Sequence, residues 1–217
     1  MASVEKYSSN QAVVNIIRHN AREIADSSNP DIDRTRSGDN ESLLPPRDVS
    51  DYQYFKDRLS EVRVFNRADV VKLAGWIITC PADCPPEREG EFFALAHQFM
   101  NERYGEENCV QSVIHRDEAG RSHLHYLTIP IVPDRKHGGE KLCAKEVLTR
   151  KELRNFHPAL QKYLYDHDMP VTVHSGITRE QGGNKTVRQL KQETREREVE
   201  KQWEREKNIE RTDLIRL

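Results

Sequence analysis

No stretch of this chain stays apolar for the length of a membrane span. That excludes a helical membrane protein, and with no apolar signal segment at its start the reading is cytoplasmic. Cysteine is scarce: Cys80, Cys84, Cys109 and Cys143 are the four present, and just the first two lie close together. A C-x3-C pair without a second matching pair is poor material for structural zinc, so free thiols in a reducing compartment are expected. Net charge is scarce as well, since 34 Lys and Arg against 36 Asp and Glu leave −2. A uniformly basic nucleic-acid surface is therefore excluded, while a local basic groove is not. Apolar residues make up 35% of the 217 and charged ones 32%, which points to one domain of ordinary size carrying a solvated appendage.

What is present falls into alternating patterns. Residues 2–6 suit an edge strand, and from Asn10 a helical stripe (Val13, Ile16, Ile17) runs to a stop before Ser27, with Ser9 or Asn10 as cap. Residues 27–48 read as a long polar loop, a length that marks function or disorder. A helix is expected over 48–60, and a strong strand over Lys72–Cys80, ended by Pro81. Glu87–Tyr104 is an amphipathic helix with Phe92, Phe93, Leu95, Ala96, Phe99 and Met100 inward and Gly105 as its stop. After two central strands comes a turn at Asp134–Glu140. Then follow a helix at Thr149–Asp166, capped by Thr149 with Glu152 in the capping-box position, and a short strand at Pro170–His174. Residues 179–185 form a polar hinge. From residue 184 onward, thinly spread apolar residues such as Val187, Leu190, Val199 and Trp203 among charges predict a solvated helix, which projects or pairs with a second copy. The domain division is 1–183 and 184–217. The expected class is α+β, an antiparallel sheet with helices packed on one face.

Chemistry concentrates in Val110–Val132, where His115, His123 and His125 fall inside eleven residues with Asp117 and Glu118 between them. His123 and His125, two apart in a strand, point to one face. A hairpin closed by Glu118-Ala119-Gly120, with Gly120 in the left-handed position, sets His115 opposite His123. Three imidazoles then converge, matching a catalytic metal site with three nitrogen ligands and an open position. The alternative is a water-facing polar surface with no ligand. Imidazole does not select among Zn, Mn, Fe, Ni and Cu. In this register Asp117 shares the face of His115 and could orient a ligand histidine, while Glu118 sits freer at the turn; either suits a general base.

The segment His115-Arg-Asp117-Glu118-x4-His123-Leu-His125 resembles the H-x-D-E-x-x-P-H-x-H motif of MobV-type plasmid mobilization relaxases, also called Pre/Mob recombination proteins. His19-Asn20-Ala21-Arg22 resembles that family's H-N-x-R motif. The run Asn29–Ser37 followed by Asn40 is similar to its second motif. Trp76–Thr79, Glu102–Gly105 and Lys185–Val187 match further landmarks in order, so the resemblance covers about residues 1–190. It departs in one extra residue before His123, in Ser122 where the family has proline, and in Glu41 where the family has tyrosine.

What the resemblance implies is an HUH relaxase-like sandwich and an enzyme that nicks and rejoins one DNA strand at an origin of transfer for conjugative mobilization. His19 would be the nucleophile, forming a covalent 5′-phospho-histidine; Tyr163 and Tyr165 are the rivals, since other HUH nucleases use a helical tyrosine. His115, His123 and His125 would hold Mn2+ or Mg2+. Glu118 or Asp117 would serve as base, and Arg22, Arg34, Arg36 and Asn40 would contact DNA. The family's members continue into a long helical region, so this chain reads as part of a longer protein. Partners would be origin DNA, conjugative coupling machinery and a second copy through the C-terminal helix. The competing functions are a metal-dependent hydrolase with a water nucleophile and a DNA-binding accessory or autoregulatory protein.

Overall fold

In the computed structural model, residues 2–24, 29, 31–173 and 192 are described. Residues Met1–Ser175 make one compact unit and Gly176–Leu217 a second. His174, the 179–185 hinge and, apart from Gln192, the C-terminal helix lie outside the described residues. No helix among the described residues is long and apolar enough to cross a membrane.

The first unit is built on a five-stranded, wholly antiparallel sheet. Its strands are β1 (Ala2–Tyr7), β2 (Glu41–Ser42), β3 (Leu73–Thr79), β4 (Cys109–His115) and β5 (His123–Thr128), in spatial order β1-β3-β5-β4-β2. A smaller hairpin pairs β6 (Ile131–Pro133) with β7 (Glu140–Leu142) around Gly138 and Gly139, both at positive φ. The expected turn at 134–140 is thus the tip of this hairpin.

The helices are α1 (Asn10–Asn20), α2 (Asp51–Ser60), α3 (Glu89–Tyr104), the single turn α4 (Ala144–Val147) and α5 (Arg150–Asp166). Their starts follow the caps in the sequence: Ser9 accepts from Ala12 N, Ser50 from Gln53 N and Thr149 from Glu152 N. Glu152 does not complete the capping box. Its carboxylate instead accepts from Arg103 Nε at 2.6 Å and Tyr104 Oη at 2.7 Å, tying α5 to α3.

The α+β class stands, but helices cover both faces of the sheet rather than one. Trp76, Ile78, Leu124 and Tyr126 pack against Phe92, Phe93 and Phe99 of α3 and Phe156, Leu160 and Leu164 of α5, with Trp76 stacked 4.1 Å from Phe156. Leu73, Val110 and Leu127 pack on the other side against Val13 and Ile17 of α1 and Phe55 of α2. Two-sided burial is why β3 reads as an unbroken apolar run instead of an alternating one. The expected strand at 170–174 does not form over its described residues: Gln161 Nε2 donates to Val171 O, and Val173 N and Thr172 N donate to Gln161 and Asp83. Side chains thereby satisfy the backbone groups a strand neighbour would have taken.

The long loop is ordered where described. Arg34–Asp39 forms a 3-10 helix capped by Asp33, and β2 pairs with β4. Asp33 N donates to Asp117 O at 2.7 Å and Ala119 N to Asp31 O at 2.9 Å, so residues 31–33 run as a strap beside 117–119.

Candidate metal centre

The β4–β5 register pairs His115 with His123 and Val113 with His125, as the alternation of side chains requires. The connection spans Arg116–Ser122 rather than three residues, because the strap pairs with its first half; Gly120 takes φ +108. All three imidazoles emerge on the α1 face. His115 and His125 ring centroids are 4.4 Å apart, and His123 lies 4.9 Å from His125 and 5.6 Å from His115.

The donor atoms fit a metal ion. One nitrogen from each of these histidines and an oxygen of Glu118 lie within 4.8 Å of one another. His115 Nε2 is 2.9 Å from Asn20 O, and a carbonyl can only accept, so that nitrogen carries the proton and Nδ1 presents a lone pair. His123 Nδ1 is likewise 3.2 Å from Arg121 O, which leaves Nε2 for the cluster. His115 Nδ1 and His125 Nε2 are buried and have no hydrogen-bond partner among the described residues. Buried lone pairs converging with a carboxylate, and backbone carbonyls orienting two of the rings from behind, are the surroundings of a metal ligand set. Burial lowers the pKa of His123 and moves that of His125 well below its usual value, which keeps both imidazoles in the ligating form.

The acids differ from the sequence expectation. Asp117 does not orient His115, whose second nitrogen is taken by Asn20. It is fully buried, with Oδ2 accepting from Arg22 Nε at 2.8 Å and Ser37 Oγ at 2.7 Å, and Oδ1 from Arg22 Nη2 at 2.6 Å. Glu118 is not free at a turn. Arg22 Nη2 donates to its Oε1 at 2.8 Å, and its oxygens lie 3.7 Å from His115 Nδ1 and 3.9 Å from His123 Nε2. Burial works to raise both carboxyl pKa values, but Arg22, Ser37 and Asn40 at Asp117, and His115, Arg22 and His123 at Glu118, hold them far below the usual range.

Arg22 binds these parts together. It sits just past α1 at φ +57, a backbone region that costs a non-glycine residue about 1–2 kcal/mol. From there its guanidinium reaches both acids, and Nη1 donates to His19 O at 3.3 Å. His19, at the end of α1, is half-buried; burial and then the Arg22 charge lower its pKa, and His115, Asp117 and Glu118 act on it electrostatically as well. The imidazole is therefore held neutral beside the cluster.

The remaining sequence candidates separate. Asn40 is turned into the protein, its Oδ1 accepting from Arg116 N at 2.8 Å and its Nδ2 buried, so it braces the acid loop. Arg34 donates to Ile24 O, and Arg36, exposed, lies 3.6 Å from Asp39; both cations face solvent on the strap. Glu41, where the resembling family has tyrosine, pairs with Arg116, which also reaches Glu89. Tyr163 and Tyr165 belong to α5, across the sheet from the histidines, and Tyr163 donates to Glu102. Sequence reasoning missed Ser37, the Asn20 carbonyl and the donor position of Glu118. Asn20 had no signal, since a backbone oxygen has no residue identity, whereas Ser37 stood unremarked inside the second motif.

Residues 1–192 match the family model Mob_Pre, described as plasmid recombination enzyme. The chain belongs to this family. A plasmid recombination enzyme of Streptococcus agalactiae is 31% identical over 193 residues, covering 85% of this chain and 37% of the relative. One of Bacillus thuringiensis is 33% identical over 146 residues, covering 65% and 32%. The chain thus spans about a third of the length of these curated plasmid recombination enzymes. Among solved structures, the MobM relaxase domain (MOBV; Mob_Pre) bound to plasmid pMV158 oriT DNA, in a Mn-bound crystal structure, matches with TM-score 0.72 at 30% identity. The match covers 88% of this chain and 97% of that domain. The α+β fold expected from the motifs is therefore one that this chain shares with that relaxase domain.

Proposed function

We propose that residues 1–183 are a relaxase domain that nicks one DNA strand at an origin of transfer and later rejoins it, through a bond between His19 and the 5′ phosphate. The observation that carries this reading is the convergence of three histidines and Glu118 with Arg22 joining that cluster to His19. The family and the DNA- and Mn-bound relaxase domain support the same reading.

His115, His123, His125 and Glu118 would hold a divalent ion, Mn2+ or Mg2+. When bound, such an ion polarises the phosphoryl oxygens and offsets charge on the leaving oxygen. The neutral His19 nitrogen attacks phosphorus, the bond from phosphorus to the 3′ oxygen breaks, and a phosphoramidate forms. The proton on the other His19 nitrogen passes to a base, and the departing 3′ oxygen is protonated to a hydroxyl. Glu118 faces the cluster and would give one oxygen to the ion and keep the other as the base; Asp117 is closed off by Arg22 and Ser37. Rejoining is the reverse attack by a 3′ hydroxyl, and it needs no ATP because the phosphoramidate keeps the bond energy. Arg34 and Arg36, exposed on the strap, supply phosphate contacts to the incoming strand.

The test uses supercoiled plasmid carrying the cognate origin, the protein, and Mn2+ or Mg2+, with wild type beside His19→Ala. The expected product is a nicked circle with protein on its 5′ end, absent for the variant. Acid lability of the adduct marks the phosphoramidate, and an acid-stable one points to tyrosine. Nicking by His19→Ala without an adduct favours the hydrolase, and origin binding without any nicking favours the accessory protein.

A further inference from the structure

We propose that Ser37 is a positioning residue: its hydroxyl sets the plane of the Asp117 carboxylate so that Arg22 can join the His19 carbonyl to Glu118. The proposal rests on the relaxase reading above.

The geometry makes Ser37 the outermost member of a five-residue network. Its Oγ donates to Asp117 Oδ2 at 2.7 Å, the same oxygen that accepts Arg22 Nε. Asp117 Oδ1 accepts Arg22 Nη2, which also donates to Glu118 Oε1, while Nη1 reaches His19 O. Four of the five guanidinium N–H groups are thereby engaged by described residues.

Asp117 is fully buried, so losing a donor costs its carboxylate a charge-assisted hydrogen bond in a poorly solvated place. Without the hydroxyl its carboxylate can rotate and trade the paired contact with Arg22 for a single one. Arg22 has little slack, because its left-handed backbone is tolerated only while its side chain is anchored. A shift there moves Glu118 relative to His19, and a misplacement near 1 Å costs about a hundredfold in rate.

The strap places this hydroxyl. Asp33 N on Asp117 O, Ala119 N on Asp31 O and Arg116 N on Asn40 Oδ1 register the 3-10 helix Arg34–Asp39 against the acid loop. Those bonds locate the loop's backbone; on the carboxylate itself the segment acts through the Ser37 hydroxyl at 2.7 Å, with the Asn40 side chain at the end of the 3-10 helix as a second polar neighbour. Arg34 and Arg36 lie just before Ser37 in the sequence and are exposed, so the segment that positions the acid also carries the proposed phosphate contacts.

Single-turnover nicking of origin DNA by Ser37→Ala, Ser37→Thr and wild type is the test, with DNA affinity measured in parallel. Ser37→Ala should nick about tenfold to a hundredfold more slowly, the kinetic equivalent of a hydrogen bond to a charged group, at an unchanged dissociation constant for DNA. Ser37→Thr keeps the hydroxyl and should recover most of the rate. The second readout is hydrogen exchange at Arg22 Nε in the metal-free protein by NMR, slow in wild type and Ser37→Thr and fast in Ser37→Ala. A wild-type rate in Ser37→Ala, a Ser37→Thr as slow as Ser37→Ala, or a rate loss matched by weaker DNA binding each overturns the proposal. Wild-type protein that never nicks origin DNA defeats the relaxase reading and the rate prediction with it. Unchanged Arg22 exchange in Ser37→Ala defeats the positioning role whatever the activity.

Discussion

Replacing Arg22 by alanine should remove about 3–5 kcal/mol of folding stability, which is much of what a domain of this kind possesses. Arg22 and Asp117 have side-chain exposures of 9% and 0%, and Glu118 of 16%, so solvent screens the group weakly. Removing the cation leaves two desolvated carboxylates side by side. Alanine also retains the strained backbone at φ +57, whereas glycine relieves it. Arg22→Gly should therefore be about 1 kcal/mol more stable than Arg22→Ala although both lose the same side chain. Urea unfolding in the presence of a chelator, followed by circular dichroism, measures both differences. A cycle with Asp117→Asn should show strong coupling, because the second substitution removes one of the charges that the first leaves unpaired.

The pH dependence of that loss has a definite sign. Asp117 and Glu118 have folded pKa values held below their unfolded values near 4. Their contribution is complete above about pH 4 and is shed as pH falls through the folded values, so the gap between wild type and Arg22→Ala should narrow with acidification. A loss under about 1 kcal/mol at neutral pH, equal stability of the alanine and glycine variants, or a gap that widens in acid would refute the reasoning.

Mn2+ affinity measured by calorimetry should stay level from pH 8 to about 6.5 and decline only below, because burial keeps His123 and His125 neutral; a steep fall starting above pH 7 would contradict this. His125→Ala should weaken Mn2+ by more than the roughly 10–100-fold typical of losing an outer partner, and a smaller effect would remove His125 from the ligand set. Gly75→Ala sets a new Cβ 2.9 Å from Tyr7 Cε2 and 3.1 Å from Leu127 Cδ2, so thermal unfolding should show a loss of about 1–3 kcal/mol; unchanged stability would mean that the β1 edge yields freely.

Much of the fold was legible because its signals are local. The periodicity of the α3 stripe, the caps Ser9 and Thr149, and the apolar run of β3 follow from single-residue preferences over short windows. The run in β3 even carried two-sided burial, although the one-faced sandwich was the expectation. The strand expected at 170–174 failed because its preferences were right for a strand, but its described backbone groups are met by Gln161 and Asp83. The hairpin register was readable because a slip of one residue would have turned His123 and His125 to the opposite face.

By itself, then, the sequence determined which side chains stand on the histidine face and, through its three ordered motifs, the family. Side-chain alternation and motif spacing are properties of the chain alone. Only the tertiary structure decided what each acid does. Asp117 and Glu118 are adjacent and chemically near-equivalent, and what separates them is contact with Arg22, Ser37 and the histidines across 80 to 96 positions of sequence or from the facing strand. Burial and long-range hydrogen bonding set those roles, and neither is encoded in any short window.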